Sequence, residues 1–417
     1  MSSREKLNTV VPAVNTVVPA MNTVVPAKAG TPFSFQKHGS PLSRGRQLQA
    51  PLRVTFVLPH AGMAGGIRVL ATYAERLQRR GHQVRVVSQP QWQPDLARKV
   101  KSLLRGRGWP QDLEPEPSWF DGLGVPHRVL DEIRPVSDAD VPDADVVIAT
   151  FWTTAAPVAA LSPRKGAKAI FVQGYETAPD CFDPALDAVW RLPLAKIVVA
   201  SWLADLARER FGDASAHLVP NSVDTAQFNA PPRGRQARPT VGMLYSTIPA
   251  KGADLALAAL ERLRRRLPEL RVIAFSAERL AAHLPLPDWI EFRYRPPQDE
   301  IRRLYASCDA WLCASRREGF HLPALEAMAC RCPVVSARMG GPRDFIEQGV
   351  NGFLVDVGDA AALSDRLLEL LQFQENRWHG MSDAALATAQ GYTWDDATTL
   401  LEGALAGIRD SCLAQSS

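Results

Sequence analysis

From Arg53 onward the chain alternates between short apolar runs and longer stretches whose apolar residues recur at helical spacing. Arg53–Leu58 reads as a buried strand, and the segment His60–Gly66 as a turn. In Ile67–Arg80 the residues Val69, Leu70, Tyr73, Ala74 and Leu77 fall on one side, as in an amphipathic helix. Gly81-His82 ends that helix, and Gln83–Ser88 is the next strand. A strand, a Gly-containing loop, a helix and a second strand form the opening unit of a Rossmann-like α/β sheet.

The same rhythm continues through buried-strand patterns at Val146–Ala149, Ala169–Gln173 and Ile197–Ala200. Ala230–Pro239, rich in Pro, Arg and Gly, interrupts it as a linker, and the rhythm then restarts. Strands are expected at Thr240–Leu244, Arg271–Phe275, Ala310–Ala314 and Pro333–Ser336. Helices are expected at Ala253–Arg266, Glu300–Ser307 and Pro323–Cys330, and at Ala360–Leu371 behind an Asp359 N-cap. This alternation predicts an α/β protein of two Rossmann-like, doubly wound parallel-sheet domains facing a cleft. The expected limits are residues 52–229, a linker over 230–239, and residues 240–390, with a helix in 391–417 crossing back to the first domain. Ligands of such sheets bind beyond the carboxyl ends of the strands. Pro59–Gly66, Tyr245–Gly252 and Ser315–Leu322 should therefore share one cleft.

Length and composition agree with this division: 417 residues, 46% hydrophobic and 22% charged, supply two cores. Charge narrows the partners. The net charge is +4, but residues 1–51 contain six basic side chains and one acid, so the remainder carries −1. A near-neutral body argues against nucleic acid as a partner. The tail 1–51 repeats Asn-Thr-Val-Val-Pro-Ala from Asn8, Asn15 and Asn22 and cannot build a core; it is expected to be disordered. None of the six cysteines forms a CxxC pair, and four of them sit among apolar neighbours, as thiols in a reducing compartment do. No apolar run is long enough to span a bilayer. A cytoplasmic location is expected. In 95–109, Leu96, Val100, Leu103 and Leu104 share a helical face flanked by Arg98, Lys99, Lys101, Arg105 and Arg107. That segment reads either as a surface helix packed on the core or as a peripheral contact with the inner face of an anionic membrane.

Candidate chemistry concentrates in Ser315–Glu326. A strand ends at Ala314, a loop turns, and Pro323 suits the first turn of a helix. Glu318 lies on the loop and Glu326 at the start of the helix, and both can face the strand's carboxyl end. Loop amides around Gly319, Phe320, His321 and Leu322 would stand at a helix N-terminus, a natural seat for phosphate or sugar oxygens. Taken singly, Glu326 could merely complement the helix dipole and Glu318 be a solvated loop acid. Their spacing around Gly-Phe-x-Leu-Pro, followed by Ala-Met-Ala, carries the signal. Lys251, before Gly252 and just after a strand, reaches the same cleft edge.

These motifs resemble the retaining glycosyltransferases of family four, which have the GT-B fold. The resemblance runs through Glu318-Gly-Phe-x-Leu-Pro-x-Leu-Glu-Ala-Met-Ala-Cys, Pro333-Val-Val, Gly340-Gly341, Gly349, Gly352-Phe-Leu-Val and Asp359. It also takes in Val219-Pro-Asn-Ser-Val-Asp-x-x-x-Phe228, Lys251-Gly252 and Gly65-Gly66. It implies transfer of a hexose from a nucleoside-diphosphate sugar to a glycan or lipid-linked saccharide acceptor, in surface polysaccharide synthesis. Glu318 and Lys251 would be catalytic, with Glu318 on the donor sugar and Lys251 on the diphosphate. Glu326 would hold the ribose, and Gly65 and Gly66 would add amides from the facing domain. Asn221 and Asp224 would be hinge structure.

No cofactor is implied and no metal, since Asp138-Ala-Asp140 and Asp143-Ala-Asp145 precede a strand instead of ending one. His60, Tyr175 and Glu176 are the candidates for contact with acceptor or sugar. The chain departs from the pattern at Ser246, where an Arg is usual; Arg68, Arg316, Arg317 and His321 are the cations that could compensate. His321 and Arg331 each replace a common Gly. Two other readings stay open: a nucleotide-sugar epimerase of the same fold, and a non-catalytic partner subunit with a degenerate donor site.

Overall fold

The computed structural model describes residues 50–92, 100, 102–104, 117–175 and 184–416. Nearly all of the repeat-bearing tail and most of 95–109 lie outside these residues, as does Glu176.

Two parallel sheets organise the chain. The first has seven strands: β1 (Arg53–Leu58), β2 (Gln83–Ser88), β3 (His127–Val129), β4 (Val146–Ala149), β5 (Ala167–Val172), β6 (Ala195–Val198) and β7 (His217–Leu218). They run in the order β3-β2-β1-β4-β5-β6-β7. Around them lie the helices α1 (Gly65–Arg79), α2 (Trp152–Ala159), α3 (Pro184–Trp190) and α4 (Ser201–Phe211).

The second sheet has six strands: β8 (Thr240–Leu244), β9 (Arg271–Ser276), β10 (Ile290–Tyr294), β11 (Ala310–Cys313), β12 (Val334–Ala337) and β13 (Gly352–Val355). Their order is β10-β9-β8-β11-β12-β13. Its helices are α5 (Ala253–Arg266), α6 (Gln298–Ala306), α7 (Leu322–Ala329), α8 (Pro342–Phe345), α9 (Ala360–Leu371) and α10 (Glu375–Gln390), and the chain closes with α11 (Trp394–Ser416). The named strand pairs are all parallel.

Strand order reverses between β1 and β4 in one sheet and between β8 and β11 in the other. A crevice opens at such a switch point because the flanking connections leave to opposite faces. The loops after β1, β8 and β11 carry the candidate residues, so topology alone brings Gly65-Gly66, Lys251 and Glu318 to the crevices. The central strand β4 is apolar throughout, as a strand covered on both faces is: Val146, Val147, Ile148 and Ala149 are fully buried.

Besides the linker, the last helix also ties the halves together. Residues 230–239 form no regular element but are pinned to the second domain. There Gln236 N–H donates to Asp309 at 2.7 Å, and Arg235 Nη1 donates to the Leu371 carbonyl at 2.8 Å. The helix α11 then returns to the first domain, where Arg80, at the end of α1, meets Glu402 at 2.5 Å and Thr399 at 3.0 Å. Tyr392 and Tyr73 both donate to the Pro220 carbonyl, at 3.1 and 3.4 Å, and Ser222 Oγ donates to the Tyr392 carbonyl at 2.7 Å. Asp224 caps the next turn through the Ala226 and Gln227 amides. Cys308, Cys313, Cys330 and Cys332 are buried and free.

Candidate functional site

At the second domain's switch point, β8 leads into the short turn Pro249–Lys251, and β11 into the loop that ends at His321. Lys251 Nζ donates to both carboxylate oxygens of Glu318, at 2.9 and 2.8 Å. Ser315 Oγ donates to Glu318 Oε1 at 2.8 Å, and His321 Nε2 stands 3.8 Å from that oxygen. The Glu318 side chain is 9% exposed and that of Lys251 35%, so the carboxylate is the floor of the site and the ammonium its rim. Against the cost of burial, the Lys251 ammonium and the Ser315 hydroxyl hold the Glu318 carboxyl below its usual range. It is therefore an anion at neutral pH. Lys251 has a third N–H for a further oxygen.

His321 has φ of 72°, the left-handed region where glycine is at ease. That is why a Gly is common there. The imidazole offsets the strain, on the order of 1 kcal/mol, by capping α7: its Nδ1 accepts the Ala324 N–H at 3.1 Å. Burial pulls its pKa down further than Glu318 raises it, so the ring is neutral. The cap places the remaining proton on Nε2, facing Glu318.

Arg331 has a parallel explanation. At φ of 60° it follows the last turn of α7, and the Cys332 and Arg331 amides close on the Ala327 and Met328 carbonyls, both at 3.0 Å. This is a Schellman end, whose left-handed residue is usually Gly.

Glu326, in the second turn of α7, is spoken for on both oxygens. Arg68 Nη1 donates to Oε1 at 2.9 Å, across the interdomain boundary, and Tyr305 Oη donates to Oε2 at 3.0 Å. Burial pushes its carboxyl upward, opposed by these two donors. Arg68 also donates to Gln227 Oε1 at 2.7 Å and lies 5.3 and 5.2 Å from the rings of Trp119 and Phe228.

The two domains meet backbone to backbone at Gly319. A Cβ there would stand 1.5 Å from the Gln173 carbonyl oxygen and 3.3 Å from Gly174 Cα. Across the same seam Trp202 Nε1 donates to the Gly319 carbonyl at 2.9 Å, and Arg317 Nη1 donates to the Tyr175 carbonyl at 3.1 Å. Asp344, on α8, accepts the Ser201 N–H at 2.8 Å and also bonds the Ser201 hydroxyl. It caps α4 from the opposite domain, where Ala200 at the N-cap supplies no side-chain cap. On the inner side, Cβ atoms on Gly340 and Gly341 would fall 2.0 and 2.2 Å from the Glu318 and Phe320 carbonyl oxygens. The loop Glu318–Phe320 is thus gripped from both domains, and only glycines fit the grip.

Of the remaining candidates, Gly65 and Gly66 are the first two residues of α1, whose N-cap Ala64 offers no side-chain cap. Gly66 meets Gln173, whose Nε2 donates to the Gly66 carbonyl at 3.1 Å. Phe320 and Leu322 flank His321 at the mouth of α7, with Phe320 buried. Tyr175 spends its hydroxyl on Asp187 at 2.8 Å. His60 lines a cavity of about 340 Å³ in the first domain, walled by Ile67, Leu70, Phe151, Trp152 and Trp190.

Where an Arg was expected, Ser246 Oγ donates to Glu278 Oε1 at 2.9 Å, and the Thr247 N–H donates to Glu278 Oε2 at 2.9 Å. In place of a missing cation the corner holds a fixed anion. Burial raises the Glu278 carboxyl, but the Thr247 and Ser246 bonds outweigh it and hold the group below its usual value. Nothing in the sequence announces Glu278 or the Arg68–Glu326 pair, because each contact joins residues far apart in the chain. Among the compensating candidates, Arg316 is committed to Asp254, at 2.8 and 2.6 Å.

Residues 227–385 match the family model described as glycosyl transferases group 1. A GDP-mannose-dependent alpha-(1-6)-phosphatidylinositol monomannoside mannosyltransferase of Mycolicibacterium smegmatis is 31% identical over 258 residues, 54% of this chain and 67% of that protein. The enzyme of the same name from Mycobacterium tuberculosis is 27% identical over 380 residues, covering 82% of this chain and 95% of its own length. Among solved structures, an Anabaena protein, HepE, in complex with UDP aligns at a TM-score of 0.64 and 17% identity, over 85% of this chain and all of that one. A pneumococcal O-GlcNAc transferase in complex with UDP and GlcNAc aligns at 0.62 and 13%, over 86% and 99%. The two parallel sheets are those of the GT-B fold. A crevice at two facing switch points, a lysine paired to a buried glutamate within it, and these relatives together make the chain a member of the group 1 glycosyltransferases.

Proposed function

We propose that the enzyme transfers a hexose, with retention of anomeric configuration, from a nucleoside-diphosphate sugar to a saccharide or lipid-linked acceptor in surface polysaccharide synthesis, on the cytoplasmic side of a membrane. The Lys251–Glu318 pair carries this reading. An anionic carboxylate on the crevice floor is a hydrogen-bond acceptor for sugar hydroxyls. The ammonium beside it, with one N–H to spare, answers the charge that grows on the diphosphate as the glycosidic bond breaks. Glu318 is held by three groups and is poorly placed as a nucleophile. Direct attack by the acceptor hydroxyl on the face the diphosphate leaves, its proton passing to the leaving phosphate oxygen, is the step that fits. Catalysis needs no resident cofactor or metal in this scheme.

On the acceptor side, the apolar cavity beside His60 suits the less polar part of an acceptor. Trp92, Val100, Leu103 and Leu104 are 47%, 42%, 54% and 82% exposed, in a region rich in Arg and Lys, which favours the membrane contact over a helix packed on the core. Relatives that act on GDP-mannose and neighbours solved with UDP leave the base open. The test is transfer from GDP-mannose, UDP-glucose and a dTDP-hexose to lipid-linked saccharide in anionic vesicles, with the product anomer read by NMR. An inverted anomer overturns the retaining step. Conversion of free nucleotide sugar without transfer turns the assignment to an epimerase.

A further inference from the structure

The first domain supplies a guanidinium to a site whose own second cation is gone. Arg68 sits in the first turn of α1, the helix whose N-terminus has no side-chain cap. Its guanidinium is 20% exposed and its partner Glu326 10%. Glu326 is the residue assigned to the ribose, and its Oε1 is occupied by Arg68 while Tyr305 holds Oε2. A ribose diol that takes this carboxylate must compete with Arg68 for Oε1. Once displaced, the guanidinium keeps Gln227 and its place between Trp119 and Phe228, but it has lost its anion. A charge left unpaired in so enclosed a place is costly. A diphosphate removes that cost, and planar guanidinium suits phosphate oxygens better than an ammonium does.

The other cations near the site are less suited. Arg316 is doubly bonded to Asp254 and also donates to the Pro249 carbonyl at 2.9 Å. Arg317 reaches the Tyr175 carbonyl across the seam, and His321 is neutral and spends Nδ1 on its own helix. The corner with Ser246 and Glu278 repels phosphate instead of drawing it.

We propose that Arg68 is the second phosphate-binding cation of this enzyme, and that the donor's arrival exchanges its partner Glu326 for the diphosphate. The proposal rests on the donor-site reading of Glu318 and Glu326. It makes the two halves of the donor interdependent: the ribose frees the cation that the diphosphate then engages. A nucleoside, with a diol but no anion, breaks the Arg68–Glu326 pair and returns nothing.

Calorimetric titration separates this role from a structural one. Wild type, Arg68→Met and Arg68→Lys are titrated with UDP, GDP and dTDP, then with uridine and guanosine, the nucleosides that carry the ribose diol. Melting temperature checks that each variant folds. For whichever base binds, Arg68→Met should lose tenfold or more in affinity for the diphosphate. It should bind a ribonucleoside at least as tightly as wild type, since the diol no longer competes. Arg68→Lys should recover part of the diphosphate affinity. Equal losses for nucleoside and diphosphate in a folded Arg68→Met protein would overturn the proposal, as would an unchanged diphosphate affinity. Failure of wild type to bind any of the three diphosphates overturns the donor-site reading itself, a result distinct from either.

Discussion

Gly319→Ala is the sharpest probe of the grip on the Glu318–Phe320 loop. The added methyl would lie 1.5 Å from the Gln173 carbonyl oxygen and 2.6 Å from its carbon, both backbone atoms that cannot rotate away. Close C···O contacts settle near 3.3 Å, so the seam must part by roughly 1.8 Å. The Trp202 bond to the Gly319 carbonyl, now 2.9 Å, and the Arg317 bond to Tyr175, now 3.1 Å, would stretch with it. Misplacing reacting groups by about 1 Å can cost 10²-fold in rate. We therefore expect kcat/KM for transfer to fall by about 100-fold, equivalent to ~2.7 kcal/mol in the barrier. Nucleotide affinity should fall far less than the rate, because the binding groups of the second domain stay in place and only the first-domain contacts, Arg68 foremost, are displaced, and the melting temperature should hold within a few degrees. Initial-rate kinetics with the preferred donor, alongside calorimetry with its nucleotide, measure all three. Turnover within threefold of wild type would show that the seam is not closed when the reaction occurs.

Three further predictions follow from the same geometry. Lys251→Met should lower kcat by about 10²–10³-fold, the usual loss for a group that stabilises developing charge, while Lys251→Arg retains much of the rate; equal activity of all three in steady-state assays would remove Lys251 from the chemistry. Asp344 is pushed up to about 6 from 3.8 by burial, which outweighs its bonds to Ser201. An acid whose folded pKa is raised stabilises the fold in its protonated form. That contribution is full below about pH 4 and is lost as pH rises through 6, up to ~3 kcal/mol. Asp344→Asn keeps an acceptor for the Ser201 N–H and should flatten the pH dependence of urea-unfolding stability across that window; an unaltered slope would contradict the assignment. Arg331→Gly relieves a left-handed residue and gives up an ion pair with Asp383, whose side chain is 68% exposed. Relief of about 1 kcal/mol should match or exceed the loss of an exposed pair, so thermal stability should hold or rise slightly. A clear fall would mean that the Arg331 bond to the Ala230 carbonyl matters more.

What the sequence disclosed and what it withheld divide along physical lines. The nine strands legible as apolar runs are the interior strands of the two sheets, most of them buried along nearly their whole length and therefore rich in Val, Ile, Leu and Ala. The four without such a signature (β3, β7, β10 and β13) are the four edge strands. Three of these are short or half exposed; Ile290–Tyr294, for example, is buried only at its first residue. The fourth, Gly352–Val355, is buried but opens on a glycine and is visible only as a motif. At the site, Glu318, Lys251 and the start of α7 were legible because each follows a strand end at a fixed short spacing. The Arg68–Glu326 pair, the Glu278 carboxylate under Ser246 and the Asp344 cap on α4 were not, because each depends on how chain segments far apart in sequence come together. The two odd residues, His321 and Arg331, looked like lost glycines; their positive φ values show that the backbone kept the glycine conformation and the side chains took on capping and pairing.

The central claim is that Lys251, Glu318 and Glu326 form one nucleotide-sugar site. Calorimetric titration of the intact protein with UDP, dTDP and GDP tests it most directly, repeated on Glu318→Ala with the corresponding nucleotide sugar. The account predicts saturable one-to-one binding of at least one nucleotide. It also predicts loss of the extra affinity contributed by the sugar, and of transfer, in a Glu318→Ala protein that still melts normally. No binding of any of the three nucleotides, or undiminished transfer by Glu318→Ala, would contradict it.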